Sequence, residues 1–342
     1  MNTDRIEKIL NSGVKASLAI TGGGSGAVHA LLSTPGASRF VADVRIPYSP
    51  EALGAFLGEK VEHSCSPEIA RSLATKSVES ALRADMRSES ARYTMGVSCT
   101  AALQTDRKRR GDDRAFICIK TADVDKLYAL YFSKAPRVEQ EALLSDWLLV
   151  LIAQAVGAER NLILPGSFNP VHKGHLGMLK AAEEITGFRG VFELSAANVD
   201  KPELPAEEIL RRVSAIRDIP IALTRAPRFT QKAQLFPNTT FVMGHDTAER
   251  LVDPSYCVKT PREGTRPTEE KCRPGTLTGR WVDMWKLFQT LETKFLVAGR
   301  QREDFQTLEN LKLPNGGEYL FEAIPEHIFR EDISSTELRG EA

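Results

Sequence analysis

Two histidines lie where a predicted apolar strand meets a predicted helix. They are His172 and His175, in the segment GSFNPVHKGH at residues 166–175. Residues three apart share one face of a helix, and a helix N-terminus offers N–H groups and a partial positive charge that suit a phosphate. Imidazoles there can stabilise charge that develops during transfer, and Gly166 and Gly174 let the backbone approach a ligand. The segment predicts a phosphate-handling site, with solvated histidines at a helix start as the alternative.

The histidine segment must be positioned by an α/β unit in the second half of the chain. The run NLILPGSF predicts the strand before it, and we expect a helix over residues 173–186. Strands that alternate with helices predict a parallel sheet. The polar segment 258–279, rich in Pro, Gly and Thr, predicts a long surface loop, and a hairpin is expected within residues 311–324.

The first half of the chain predicts another α/β unit. A glycine turn at residues 22–26 joins an expected strand to an expected helix. An amphipathic helix over residues 137–158 would close the unit, and its apolar run at residues 143–158 predicts a buried helix. The turn either binds a phosphate at a helix start or is a tight strand–helix connection. A boundary near residue 159 gives two predicted domains, 1–158 and 159–342.

The histidine segment resembles the HxGH nucleotidyltransferases, and within them the nicotinamide or nicotinate mononucleotide adenylyltransferase-like proteins. A second signature of that group, ISSTxxR, is similar to residues 333–339, ISSTELR. The strand end FVMGHD looks like the family's G-x-D, at Gly244 and Asp246, with Asp246 as a helix cap as the alternative. The resemblance covers about residues 160–341 and implies a Rossmann-like nucleotidyltransferase domain with a parallel sheet.

The resemblance implies that AMP moves from ATP to a mononucleotide phosphate, by in-line attack on the α-phosphate, with release of pyrophosphate. It implies catalytic roles for His172, His175 and Arg339. The residues expected to frame the nucleotide and its phosphates are Gly166, Ser167, Phe168, Gly244, Asp246, Ser334, Ser335 and Thr336. The region of the accepting nucleotide would hold Glu193 to Asn198, Asp200 to Pro202, Thr224 to Pro227 and Lys232. Mg²⁺ would accompany ATP, held mainly by phosphate and water, so no protein metal ligands are expected.

The first domain resembles the competence-damage-type nicotinamide mononucleotide deamidases through TGGGSGAVHALLSTPGAS, PYSPEALGAFLG, SPEIARSLA and GVSCTAAL. The position of the family's nucleophilic serine is Ala19, and the position of its lysine is Leu53, while Tyr48 is retained. A serine needs a nearby base to become a nucleophile. We therefore predict an α/β deamidase-like domain that is catalytically inactive, because Ser25 could replace the nucleophile only in a different geometry.

The amino-acid composition limits which classes of partner the protein is expected to bind. The chain has 342 residues with 45 basic and 45 acidic side chains, a balance that argues against nucleic acid or an anionic membrane as the main partner. The basic run 107–110 has acidic neighbours and predicts a solvated loop. Five cysteines without zinc-like spacing predict reduced thiols and a cytoplasmic location. We expect ATP and a mononucleotide as partners, no membrane, and leave a homo-oligomer open.

Two other functions stay open at this point. The chain could be another adenylyl- or cytidylyltransferase of the superfamily, with phosphopantetheine or a phosphoalcohol as acceptor. It could also be a non-catalytic nucleotide-binding sensor. The fusion to a deamidase-like domain favours a pyridine mononucleotide, because both resembled families handle the same mononucleotide.

Overall fold

A computed structural model describes residues 3–84, 93–107, 109–197, 202–253, 274–301, 305–314, 316–330 and 340. Contacts within the chain divide it into two units, Met1–Glu159 with Val213–Leu223, and Arg160–Arg212 with Thr224–Ala342. The first division therefore falls one residue beyond the expected boundary. Residues 213–223, which the two-domain hypothesis placed in the second domain, belong to the first unit.

The helices and strands alternate along most of the chain. The α-helices are α1 Thr3–Leu10, α2 Ser25–Leu32, α3 Pro50–Leu57, α4 Pro67–Ala84, α5 Arg137–Ala155, α6 Lys173–Thr186, α7 Ala206–Ser214, α8 Phe229–Leu235, α9 His245–Val252 and α10 Pro274–Thr290. Short 3₁₀ helices cover Ala37–Arg39, Leu308–Asn310 and Glu318–Leu320. The strands are β1 Lys15–Thr21, β2 Val41–Arg45, β3 Thr94–Ala102, β4 Arg114–Lys120, β5 Asp125–Tyr131, β6 Asn161–Pro165, β7 Gly190–Ser195, β8 Ile221–Thr224, β9 Thr239–Gly244, β10 Lys294–Ala298, β11 Arg300–Gln301, β12 Phe305–Gln306 and β13 Phe321–Ile324.

The first unit is built on a mixed sheet. Strand β1 pairs in parallel with β2 and β3, and β3, β4 and β5 follow as antiparallel neighbours. Residues 221–223 of β8 extend this sheet in antiparallel pairing with β5. Helix α5 is buried on nearly all sides from Leu144 to Gln154, which confirms the buried helix that its apolar run predicts. This part of the helix has no polar face, so the amphipathic prediction is wrong there. None of the helices in the described part of the chain is both long enough and apolar enough to cross a membrane.

The second unit contains the expected parallel sheet. Strands β13, β10, β9, β6 and β7 lie in that order and all pair in parallel. The chain passes from β6 to β7 on one side and later returns to β9 on the other side of β6. In open parallel sheets, ligands bind beyond the carboxyl ends of the strands where the order reverses in this way. The fold therefore points to the loops after β6 and β9.

Two local predictions in the second unit were wrong. The expected hairpin within residues 311–324 is absent from the described part of that segment, where β13 instead pairs in parallel with β10. Helix α10 begins at Pro274, inside the segment 258–279 that was expected to be a loop, and residues 258–273 of that segment lie outside the described residues. A proline at the first helical position explains the early start, because its φ suits a first turn.

Candidate active site

The loop after β6 is packed onto β7. The Gly166 N–H donates to the Glu193 carbonyl at 3.0 Å, which continues the pairing of Pro165 with Glu193. Phe168, 1% exposed, turns inward with a φ of 45° and packs edge-on against Phe192, with ring centres 4.8 Å apart. A Cβ at position 166 would lie 2.7 Å from the Phe168 ring. Gly166 is therefore required by this inward-turned phenylalanine.

The two histidines lie together at the start of α6. His172 has extended backbone and immediately precedes the helix, and its ring centre lies 3.8 Å from that of His175. The His172 N–H donates to Nδ1 of His175 at 3.3 Å, which assigns the proton of a neutral His175 ring to Nε2. Burial, and then the neighbouring His172, lower the pKa of His175 to about 4. His175 is therefore a neutral imidazole near pH 7, able to donate through Nε2.

Two arginines of α7 hold the exposed side of the same loop. Arg212 donates to the Ser167 carbonyl at 3.0 Å, and Arg211 donates to the side-chain oxygen of Asn169. Glu208 accepts from both guanidinium groups, at 2.7 Å from Arg211 Nε and 2.6 Å from Arg212 Nε. These three residues were not among the site residues predicted from the sequence. Their i, i+3 and i, i+4 spacing was the available signal.

The junction between β9 and α9 contains Gly244 and Asp246. Gly244 is the residue before α9, so Asp246 lies within the first helical turn and the helix-cap alternative for it is wrong. Its carboxylate forms an ion pair with Arg300, which follows β10. Because β9 pairs in parallel with β6, this junction and the histidine loop both lie at the carboxyl ends of the strands.

One group of side chains in the described residues offers metal-type ligands. His245, Asp246 and Glu249 place ligand atoms within 4.8 Å of one another. Asp246 already has the Arg300 guanidinium as its counter-ion, which opposes a second positive charge there. We assign no metal to this group.

Glu193 and Lys232, expected near the accepting nucleotide, lie in the interior. Glu193 is 0% exposed and Lys232 is 5% exposed, and Lys232 Nζ lies 2.5 Å from Oε2 of Glu193. The Thr224 hydroxyl donates to the other oxygen of that carboxylate. Both side chains therefore face each other rather than solvent.

Several expected site residues lie outside the described residues. They are Ser334, Ser335, Thr336 and Arg339 of the second signature, and Asn198, Asp200 and Lys201 of the expected acceptor region. Their roles stay predictions. The structure brings together His172, His175 and Phe168, with Gly166 and Ser167 on the same loop.

In the first unit, the two positions predicted to correspond to the nucleophile and the lysine of the deamidases are part of the core. Ala19 is 0% exposed and Leu53 is 1% exposed, and both belong to one apolar cluster with Leu57 and Leu73. Apolar packing thus surrounds both positions.

The glycine turn of the first unit is filled by a carboxylate of the chain itself. Glu141 of α5 accepts from the Gly24 N–H at 2.8 Å, from the Gly26 N–H at 3.2 Å and from the Ser25 hydroxyl at 2.9 Å. Arg137 of the same helix donates to the Gly22 carbonyl at 2.8 Å. These contacts favour the tight-connection interpretation of the turn.

Comparison with known proteins agrees with the fold and site of the second unit, which define a nucleotidyltransferase domain. The chain matches the cytidylyltransferase-like family over residues 163–341, slightly more than half of its 342 residues. The protein therefore belongs to the cytidylyltransferase-like family. None of the curated proteins compared matches the chain.

Solved structures of competence-damage proteins are also similar to part of the chain. A superfamily protein from Klebsiella pneumoniae 700603 has 13% identity and a TM-score of 0.37, covering 46% of this chain and 100% of its own. The competence/damage-inducible protein CihA from Agrobacterium tumefaciens has 17% identity and a TM-score of 0.37, covering 45% of this chain and 94% of its own. The competence or damage-inducible protein from Enterobacter asburiae has 16% identity and a TM-score of 0.34, covering 46% of this chain and 94% of its own.

Proposed function

We propose that the protein transfers AMP from ATP to the phosphate of a mononucleotide, nicotinamide or nicotinate mononucleotide, and releases pyrophosphate. The observation that carries the proposal is the packed pair of His172 and His175 at the start of α6. This pair lies after β6, at the sheet edge where the strand order reverses. Family membership supports the nucleotidyl-transfer class, and the resemblance to the adenylyltransferase-like proteins supports the choice of nucleotide and acceptor.

In the proposed step, an oxygen of the acceptor phosphate forms a bond to the α-phosphorus of ATP. The bond from that phosphorus to the bridging oxygen breaks, and the electron pair leaves with pyrophosphate. Negative charge on the α-phosphate oxygens is met by the Nε2–H of His175 and by backbone amides at the start of α6. Position and charge stabilisation account for the catalysis, and no covalent enzyme intermediate is required.

Mg²⁺ would enter with ATP and neutralise charge on the phosphates. The described His172–His175 site supplies imidazole and amide donors, and the described His–Asp–Glu group at 245–249 already contains the Asp246–Arg300 ion pair. Imidazole and amide N–H donors bind phosphate oxygens, which leaves the Mg²⁺ to be held by those phosphate oxygens and water. Ser334, Ser335, Thr336 and Arg339 would hold the β- and γ-phosphates in this proposal.

A second candidate is transfer to a different acceptor, phosphopantetheine or a phosphoalcohol, with ATP or CTP as donor. The family match supports this candidate too, because it specifies no acceptor and the histidine pair would serve both reactions. The acceptor decides between the two candidates.

For the first unit, we propose that it does not hydrolyse the mononucleotide amide. The supporting observation is that Ala19 and Leu53 are buried in one apolar cluster, where a nucleophile and a base would be needed.

A pyrophosphate-release assay tests the main proposal. The full chain is incubated with Mg²⁺, ATP or CTP, and each acceptor in turn, and the product is identified by mass. Pyrophosphate release that requires ATP and nicotinamide or nicotinate mononucleotide is the expected result. Release only with another acceptor would support the second candidate. Nucleotide binding without release for any acceptor would contradict both candidates and favour the sensor.

A further inference from the structure

We propose that Lys232 and Glu193 are positioning residues, whose buried ion pair fixes the loop that carries the histidine pair. The inference rests on the proposed function for its catalytic consequence. The pair has a Nζ–Oε2 distance of 2.5 Å, with 6% of the Lys232 side chain and 0% of the Glu193 side chain exposed. The two side chains contact each other and the Thr224 hydroxyl, so their effect on the histidines would be transmitted through the loop.

The ion pair has one favourable arrangement. Oε2 of Glu193 contacts Lys232, and Oε1 accepts from the Thr224 hydroxyl. Desolvation lowers the pKa of Lys232, and the Glu193 charge opposes that effect. Because an unpaired buried charge is strongly unfavourable, displacing either partner is costly. The pair therefore holds the end of β7 at a defined place.

The pair also joins three segments that follow one another around the sheet edge. Lys232 comes from α8, Glu193 from β7 and Thr224 from the end of β8. The Ala196 N–H donates to the Thr224 carbonyl at 2.8 Å, and the Ala226 N–H donates to the Thr224 hydroxyl at 3.2 Å. These bonds make the end of β7 part of a connected framework.

The histidine loop is attached to this framework next to the ion pair. The carbonyl of Glu193 accepts from Gly166 N–H, the first residue of the loop, at 3.0 Å. Its neighbour Phe192 packs against Phe168, whose ring centre lies 5.1 Å from that of His175. A shift at Glu193 would thus move both contacts that fix the loop. Misplacing a catalytic group by about 1 Å can cost about 100-fold in rate.

Three variants separate positioning from general stability. Lys232→Met and Glu193→Gln each leave one partner without its counter-ion, and the double variant Glu193→Gln/Lys232→Met removes both charges while keeping similar shape. We expect the single variants to lower the Tm and the double variant to recover most of that loss. Glu326→Gln is the matched control, because it removes one partner of the exposed Glu326–Arg330 ion pair in the same unit.

The kinetic readout is the separation of kcat from KM. In the double variant, we expect kcat to fall by about 10-fold or more while KM for ATP changes by less than about 3-fold, because loop placement acts on the transition state. The control variant should retain kcat. A double variant that regains both its Tm and its kcat would show that the pair only stabilises the fold, and the proposal would be wrong.

A second readout does not depend on turnover. The His175 ring signal can be followed by NMR and identified among the six histidines by its loss in His175→Ala. We expect the double variant to shift this signal and raise the pKa of His175 towards the ordinary histidine value of about 6.5, because a looser loop exposes the ring. If no acceptor supports turnover in the wild type, the proposed function fails, and this signal still decides the positioning. An unchanged His175 signal in the double variant overturns it.

Discussion

Two junctions in this chain share one construction, a parallel strand followed by a glycine-containing turn and a helix. At the start of α2, the Gly24 and Gly26 amides donate to the carboxylate of Glu141. At the start of α6, His172 and His175 lie together instead. A helix start suits an anion in both places, since its N–H groups carry partial positive charge. The chain supplies that anion itself in the first unit, whereas in the second unit two imidazoles lie at the helix start, where we propose that the phosphate of a ligand binds.

The buried residues behind the two helix starts also differ. In the first unit, Ala19 at the strand before the turn packs with Leu53 in an apolar cluster. In the second unit, Glu193 at the end of β7 forms a buried ion pair with Lys232 of α8. A buried charged pair demands a fixed geometry more strictly than apolar side chains of similar size do. The packing at the first junction therefore mainly stabilises the fold, whereas the ion pair at the second also fixes the position of neighbouring backbone.

The largest expected effect is on the second junction. His175→Ala should reduce kcat by about 100- to 1,000-fold, because it removes a donor to the charge that develops on the α-phosphate. Lys180→Ala, at an exposed position on the same helix, is the control and should retain activity. Steady-state pyrophosphate release and circular dichroism of both variants are the measurements. Full activity in His175→Ala would remove the functional difference between the two junctions.

The ionisation of His175 should be strongly displaced. We expect an NMR titration of the nucleotide-free protein to give a pKa of about 4, because burial and the adjacent His172 disfavour the charged ring. Since this pKa lies below the unfolded value, the contribution of His175 to stability is complete above about pH 6.5 and is lost as the pH falls towards 4. A pKa near 6.5 would mean that the ring is solvated, as an ordinary helix-start histidine would be.

An intermediate effect is expected at the first junction. Glu141→Ala should lower the free energy of unfolding by about 1 to 3 kcal/mol, because donors of the glycine turn lose a charged acceptor. Glu139→Ala, at an exposed position on the same helix, should cost less. Thermal unfolding and hydrogen exchange of residues 22–28 measure this.

Added inorganic phosphate tests whether Glu141 occupies an anion-binding position at the start of α2. If Glu141 takes the place of an anion, phosphate should raise the Tm of Glu141→Ala more than that of the wild type, because the vacated amides can bind it. The same Tm increase in both proteins would argue against an anion-like role for Glu141.

The smallest effect is expected from restoring the nucleophile. Ala19→Ser should release no measurable ammonia from nicotinamide mononucleotide, since Leu53 still occupies the position of the base. Ala19→Ser combined with Leu53→Lys is the stricter test, with thermal unfolding to confirm that each protein folds. Ammonia release by the single variant would show that the first junction retains more of a catalytic arrangement than its packing indicates.

Much of the fold could be predicted because its signals are local. The helix over residues 173–186 was predicted within its observed bounds, since an apolar strand, a glycine-containing loop and a periodic helix follow in order. Helix α3 was missed although Ser49 caps it, Pro50 begins it and Gly58 ends it. Strand β13 was mistaken for part of a hairpin. It pairs in parallel with β10, and no local turn signal indicates a partner that is joined through a long connection.

The sequence by itself determined the position of the histidine segment at residues 166–175, between a strand and a helix, and the alternation of strands and helices around it. These depend on residue type and spacing over short distances. Only the tertiary structure decided that Glu141 fills the glycine turn, 116 positions from Ser25, and that Lys232 pairs with Glu193. Such contacts join residues that are remote along the chain, and a side chain's partner is set by which elements pack against each other. Spacing could therefore predict where an anion would be bound, while packing determined which of the two helix starts already holds one.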